Sequence, residues 1–291
     1  MKKLNVIFTM DCEAINGLAS EGGPRDWDFC KRSIAGYCET LLKKNIRATL
    51  FVVPFTAEKH RGVLLELERA GVELALHYHP QDHGYKDYLG AYDGEQQLSM
   101  ISEASDIWTQ AIGKKPESFR GGNMSANDYT FPALERLGFK QGSLSMPERN
   151  FTRVKANWKG SPMYPYHTNK ANRLIEGNLE FLEAPVTVDW ESVLWGGLTP
   201  LELRIEMVDA RAHGFTIRKN IERQLISNYS MPYIAVLTHN IFDYSDKDEF
   251  RSQVLEGIID EIERCAESKG LAIDGLTLKE YHTLFPAVFL P

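Results

Sequence analysis

The stretch RATLFVVP, residues 47–54, is apolar at nearly every position and ends on a proline. A half-buried strand alternates in polarity, whereas a short run with no polar face predicts a strand covered on both sides, as in a parallel sheet beneath helices. The flanks agree. Upstream, WDFCKRSIAGYCETLLKKN (27–45) carries Phe29, Ile34, Tyr37, Leu41 and Leu42 at helical spacing, and LNVIFTM (4–10) is a first short strand. Downstream, VLLELERAG (63–71) predicts a helix stopped by Gly71, and VELALHYH (72–79) a third strand. Residues 92–113 predict a long amphipathic helix, ESFR (117–120) a brief strand, and NDYTFPALERLGF (127–139) a helix capped by Asn127 or Asp128. Such alternation implies parallel strands joined by right-handed crossovers.

The second half is less regular. Residues 143–178, with Pro147, Pro162 and Pro165, read as long loops or a small insertion. NLEFLEAPVTVDW (178–190) resumes strand character, TPLELRIEMVDARAHG (199–214) predicts a helix capped by Thr199, and MPYIAVLTHN (231–240) a buried strand. DEFRSQVLEGIIDEIERCAESKG (248–270) predicts a helix ended by Gly270. No repeat, low-complexity tract or linker divides the chain. Its 291 residues suit a single α/β barrel, commonly ~250 residues, so one domain is expected over 1–291.

Against 33 Lys and Arg stand 40 Asp and Glu, a net charge of −7, which argues against a nucleic-acid groove or an anionic membrane surface as the main partner. No apolar run approaches the ~18–20 residues of a membrane span. The opening MKKLNVIFTMDCE sets two lysines before an apolar run, but that run meets Asp11 and Glu13 within a few residues and reads as a strand, not an export signal. Cys12, Cys30, Cys38 and Cys265 form no CxxC pair, so reduced thiols in a cytoplasm are expected.

In an α/β barrel, functional side chains sit where strands end and loops begin. Strand one ends in Asp11-Cys12-Glu13, and strand three in His77-Tyr78-His79-Pro80-Gln81-Asp82-His83. The strand near 119 ends in Arg120-Gly121-Gly122-Asn123, a later one leads to Asp189-Trp190, and the strand 233–238 ends in Thr238-His239-Asn240. Imidazole nitrogen and carboxylate oxygen suit Zn²⁺, and also Co²⁺ or Ni²⁺, with positions left for water and substrate. The set therefore points to metal-assisted hydrolysis, with a free carboxylate as base and a histidine donating a proton to the leaving nitrogen. Arg120 is expected to orient that carboxylate and keep it ionised, and Asp189 to orient His239 and raise its pKa.

These residues resemble, in order and spacing over roughly 4–280, the polysaccharide deacetylases of the NodB-homology type, carbohydrate esterase family four. TMDCE (9–13) stands where that family has Thr-Phe-Asp-Asp-Gly, and RATLFVVP resembles its second strand. GVELALHYHPQDH (71–83) falls on its histidine motif, and SFRGGNMSANDYTFPALERLGF (118–139) on its arginine motif and the helix after it. LEAPVTVDW (182–190) and IAVLTHN (234–240) resemble its last two motifs, and GLTLKEYHTLF (275–285) its C-terminal strand and helix.

The resemblance implies a distorted (β/α)7–8 barrel and metal-dependent hydrolysis of an N-acetyl or other N-acyl amide on an amino sugar. Asp11 then matches the base, Arg120 its partner, His77 the first metal histidine and His239 the general acid. Cys12 occupies the place of the usual metal aspartate, so Glu13 reaches the metal instead, unless Asp11 and Glu13 exchange roles. Gln81 stands where the second histidine is usual, which leaves His79 or His83. On a strand, positions i and i+2 share a face, and this favours His79. Gly121-Gly122-Asn123 replaces a usual Pro-Tyr. The His-x-His-Pro, Asp-x-Glu form resembles a branch linked to surface-polysaccharide assembly, which implies a nucleotide- or lipid-linked amino sugar as substrate. Two alternatives are a hydrolase of a non-sugar amide, formamide or cyclic ureide on the same fold, and an inactive carbohydrate-binding homologue.

Overall fold

Strand β1 (Lys3–Cys12) is an interior strand of the main sheet, paired along both of its edges. The structure, a computed structural model, describes residues 2–286. After β1 come α1 (Trp27–Lys43), β2 (Ala48–Val52), α2 (Pro54–Lys59), α3 (Arg61–Arg69), β3 (Glu73–Tyr78), α4 (Gly94–Ile112), β4 (Ser118–Gly121), α5 (Thr130–Arg136) and β5 (Gln141–Gly142). A small hairpin, β6 (Asn150–Phe151) and β7 (Ala156–Asn157), is followed by β8 (Tyr166–His167) and β9 (Leu182–Glu183). A second hairpin, β10 (Val188–Leu194) and β11 (Thr199–Glu202), leads to α6 (Ala210–Ile226), β12 (Tyr233–His239), α7 (Phe250–Ser268), β13 (Ala272–Gly275) and α8 (Leu278–Leu284).

The main sheet has the order β12-β1-β2-β3-β4-β5-β9-β8, parallel throughout except where β8 turns back on β9. β13 pairs with Lys3–Val6 of β1 and leaves Phe8–Cys12 to β2. The expected barrel takes the form of a strongly curled, mostly parallel half-barrel. Its seam, between β9 and β12, is bridged by backbone outside the regular ladder: Thr187 N donates to Ala235 O, Leu203 N to Thr187 O, Leu237 N to Leu203 O and Ile205 N to Leu237 O.

Side-chain period two sorts the strands into two cores. From β1, Leu4, Val6, Phe8, Met10 and Cys12 pack outward against the helices, while Ile7 joins Phe51, Ala75, Tyr233 and Ala235 in a smaller inner core. Asp11 and Glu13 continue the inward series, so both carboxylates rise at the mouth while Cys12 is spent on packing. The same alternation in β3 sends Leu74, Leu76 and Tyr78 outward, leaving Ala75, His77 and His79 inward.

Two expectations are corrected. Residues 199–214 are not a helix: Thr199–Glu202 pair with β10, and α6 starts only at Ala210, capped by the Asp209 side chain on Ala212 N. Leu203 and Ile205 are recruited into the seam, and those tertiary hydrogen bonds override helix propensity. The strand expected over 178–190 is also split, with Leu182–Glu183 in the main sheet and Val188 onward in the hairpin.

Candidate metal centre and active site

Three donors meet at the inner rim where β1 and β3 end. Glu13 Oε1 lies 3.1 Å from His77 Nε2 and 3.2 Å from His79 Nε2, and the two imidazole nitrogens are 3.1 Å apart. All three side chains are buried. His77 Nδ1 donates to the backbone carbonyl of Arg120 at 3.0 Å, which assigns its proton to Nδ1 and turns the Nε2 lone pair toward Glu13. Burial raises the Glu13 carboxyl, but the imidazoles of His79 and His77 outweigh it and hold it well below the usual range. For His79, burial acts downward and Glu13 overcomes it, pushing the pKa up to about 9. A buried carboxylate packed against two imidazole nitrogens is a place where positive charge is stabilised, carried by an imidazole proton or by a cation. Glu13, His77 and His79 offer one ligand atom each within 4.8 Å of one another, so the residues fit a divalent ion of the N/O-binding kind.

Gly122 is part of this fit. A Cβ built on it would lie 2.3 Å from His79 Nδ1, so the imidazole stands in the space a side chain would fill. Asn123, in a left-handed conformation at φ 56°, is the middle residue of the short turn Gly122–Met124.

Asp11 stands beside the group. Arg120 Nη1 donates to Asp11 Oδ1 at 2.6 Å, and Asp11 Oδ2 lies 3.8 Å from both His77 Nε2 and His239 Nε2. Arg120 is fully buried and fixed on every side: Nε donates to Ser143 O at 2.7 Å, Nη2 to Ser143 Oγ at 2.8 Å, Nη1 also to Thr9 Oγ1 at 3.1 Å, and the guanidinium lies 4.0 Å from the Phe51 ring centre. Burial pushes the Asp11 carboxyl up, but the nearby Arg120, with His77 and His239, brings it below its ordinary value. Register places His239 opposite Asp11 on the adjacent strand, at the same end of the sheet.

His239 has a carboxylate partner that sequence reasoning missed. Its Nδ1 bonds to Glu206 Oε1, and Glu206 follows the seam residues Leu203–Ile205. Burial lowers the His239 pKa, and Glu206 reverses this so that the net shift is upward; Glu206 itself is lowered by His239 against its own burial. Asp189, expected in that place, instead accepts from Lys219 Nζ at 2.6 Å and Ser192 Oγ at 2.8 Å. It lies at the start of β10, before the chain has crossed to β12. The missed signal was present: in LELRIE (201–206) Leu201, Leu203 and Ile205 are buried and alternate with Glu202, Arg204 and Glu206.

His83 is not part of the donor group. It is stacked on Phe55 with ring centres 5.7 Å apart and packs against Tyr78, in the short helical turn Pro80–His83 that follows Pro80. Asp11, Glu13, His77, His79, Glu206 and His239 all line one cavity of about 640 Å³.

Residues 25–142 match the model of the polysaccharide deacetylase family. A comparison with curated proteins finds no match. Among solved structures, one from Mycobacterium smegmatis described as a polysaccharide deacetylase aligns with a TM-score of 0.62 at 18% identity, over 100% of this chain and 94% of that one. One from Parabacteroides distasonis described as a glycoside hydrolase/deacetylase aligns at 0.69 and 14%, over 97% of this chain and 71% of that one. PuuE allantoinase aligns at 0.60 and 13%, over 96% and 89%. At these identities the three structures share the fold. No helix among the described residues is long and apolar enough to cross a membrane.

Proposed function

We propose that this chain, which belongs to the polysaccharide deacetylase family by its match over residues 25–142, removes an acetyl or other acyl group from the nitrogen of an amino sugar. The observation that carries this reading is the meeting, in one cavity, of a Glu-His-His donor set with a carboxylate anchored by arginine and a histidine anchored by carboxylate. Glu13, His77 and His79 would hold one divalent metal, zinc first, with cobalt or nickel as alternatives. When bound, such an ion polarises an amide carbonyl and makes nearby water more acidic.

The chain's own groups do the proton work. Asp11, kept ionised by Arg120, accepts the proton of the attacking water on Oδ2, the oxygen that Arg120 leaves free. An amine leaves poorly unless protonated, and His239 is the donor: Glu206 keeps its Nδ1 occupied and its charge stable, while Nε2 faces the cavity beside Asp11. Glu206 acts through His239 and is a positioning residue.

The substrate is read as a nucleotide- or lipid-linked amino sugar of surface-polysaccharide assembly, met in the cytoplasm. The test is acetate release by the zinc-loaded protein from free, nucleotide-linked and lipid-linked N-acetyl amino sugars, with and without a chelator. Release that stops on chelation supports the reading; a metal-loaded protein that releases no acyl group from any of the three classes refutes it.

A further inference from the structure

The wall of the cavity away from β1 and β3 is built by the two hairpins. Asn150 N donates to Leu198 O at 2.8 Å, which ties β6 to the end of the second hairpin, and Phe151 meets Trp195 edge to face with ring centres 6.0 Å apart. Trp195 is half exposed and, like Phe151, lines the cavity. Beside this aromatic shelf the wall carries Arg149, Arg153 and Arg204.

Their charge is not matched. Arg149 and Arg204 share one buried carboxylate, Glu202: Arg149 bonds it through Nε and Nη2 and gives Nη1 to Asn123 O, and Arg204 Nε lies 3.4 Å from the Glu202 Oε2 without forming a hydrogen bond. Glu206, 3.8 Å from Arg204, is committed to His239. Arg153 is exposed and pairs with no carboxylate among the described residues; across the mouth, Glu21 accepts from the Tyr88 hydroxyl at 2.7 Å. The buried Asn123 Nδ2, also on the cavity, has no hydrogen-bond partner. Three guanidinium groups therefore share two carboxylates, Glu202 and a Glu206 already bonded to His239, and Arg153 has neither; an unpaired amide donor stands beside them. A wall of surplus donors suits a ligand made of acceptors.

We infer that this wall is a subsite for an acidic group, carboxylate or phosphate, carried by the substrate next to the amide that is cleaved. The aromatic shelf supports the ring that bears it, and the guanidinium fork grips the anion in two-point fashion. This rests on the amino-sugar reading above, but it is tested by binding alone, so the two can fail separately.

The experiment is isothermal titration of the metal-loaded full chain with inorganic phosphate, with glucuronate and with neutral methyl glucoside, at equal metal content and low salt. At least one of the two anions should bind while methyl glucoside does not, and Arg153→Gln should weaken that binding about tenfold, the scale of one charge-assisted hydrogen bond. Arg211→Gln, an exposed arginine outside the cavity, should leave it unchanged. Binding of phosphate alone assigns a phosphate group, of glucuronate alone a carboxylate, and of both an acidic group in general. The inference is overturned if neither anion binds better than methyl glucoside, or if Arg153→Gln binds as the wild type does.

Discussion

Arg120 Nη1 lies 2.6 Å from Asp11 Oδ1, and both side chains are buried. The pair is the junction between scaffold and chemistry, because the remaining guanidinium donors are spent on Ser143 and Thr9. Replacing Arg120 by Leu strands a buried carboxylate, so stability should fall by about 3–5 kcal/mol. Urea unfolding at pH 7 measures it. A loss under 1 kcal/mol would mean that Asp11 does not depend on the pair.

Metal content separates the roles of the acids and histidines. Glu13→Gln, His77→Ala and His79→Ala should each lose the metal on elemental analysis. Asp11→Asn should retain it but lose turnover. His83→Ala should retain it too, since that ring is stacked on Phe55. Loss of metal in Asp11→Asn with retention in Glu13→Gln would exchange the two roles.

The proton donor sets an alkaline limb. In the proposed role of proton donor His239 acts only while protonated, and its pKa is raised by Glu206 in the folded protein. Activity should therefore fall as pH rises through that pKa, and Glu206→Gln should move the fall to lower pH. His239→Ala should cost ~10²–10⁴ in kcat. A pH–rate profile of Glu206→Gln that overlays the wild type would remove Glu206 from the mechanism.

Two buried groups tilt stability in opposite directions with pH. His213, against the backbone of Arg204 and Ile205, is held down by burial to about 4 from 6.5. Its unfolded form takes the proton first, so its contribution is present above pH 6.5 and lost as pH falls toward 4. Glu183 is raised by burial to about 7 from 4.5, so its contribution is present below pH 4.5 and lost as pH rises through 7. Each amounts to about 3 kcal/mol. Between pH 4.5 and 6.5 the two slopes oppose each other. Denaturation curves across that window should show His213→Leu losing stability as pH rises and Glu183→Gln gaining it. Parallel curves for the two variants and wild type would refute both assignments.

Most of the strand frame was legible because buried parallel strands are short apolar runs: 47–54, 72–79 and 231–240 each contain an observed strand. The same period-two logic favoured His79 over His83. Reading stopped at the seam. LELRIE has good helix formers, and only its alternation hints at extension; what decides it is hydrogen bonding to Thr187 and Leu237, neither of them adjacent in sequence. Glu206 went unseen with it, and Asp189, the acid nearest a recognised strand, was expected in its place. Arg149 and Arg153 lay in a stretch with no periodicity, where a side chain's direction is set only by tertiary contacts.

The seam also separates two kinds of failure. Glu206 and His239 stand on opposite lips of a join held by a few backbone bonds among Thr187, Leu203, Ile205, Ala235 and Leu237, whereas Glu13, His77 and His79 rise from continuous ladder. Local opening costs least where pairing is sparse. Mild denaturant should thus unzip the join first, releasing the amide protons of Leu203, Ile205 and Leu237 to exchange before those of β1 and β3. The protein would then pass through a form that keeps its ion and its histidine but has lost the carboxylate that holds that histidine charged.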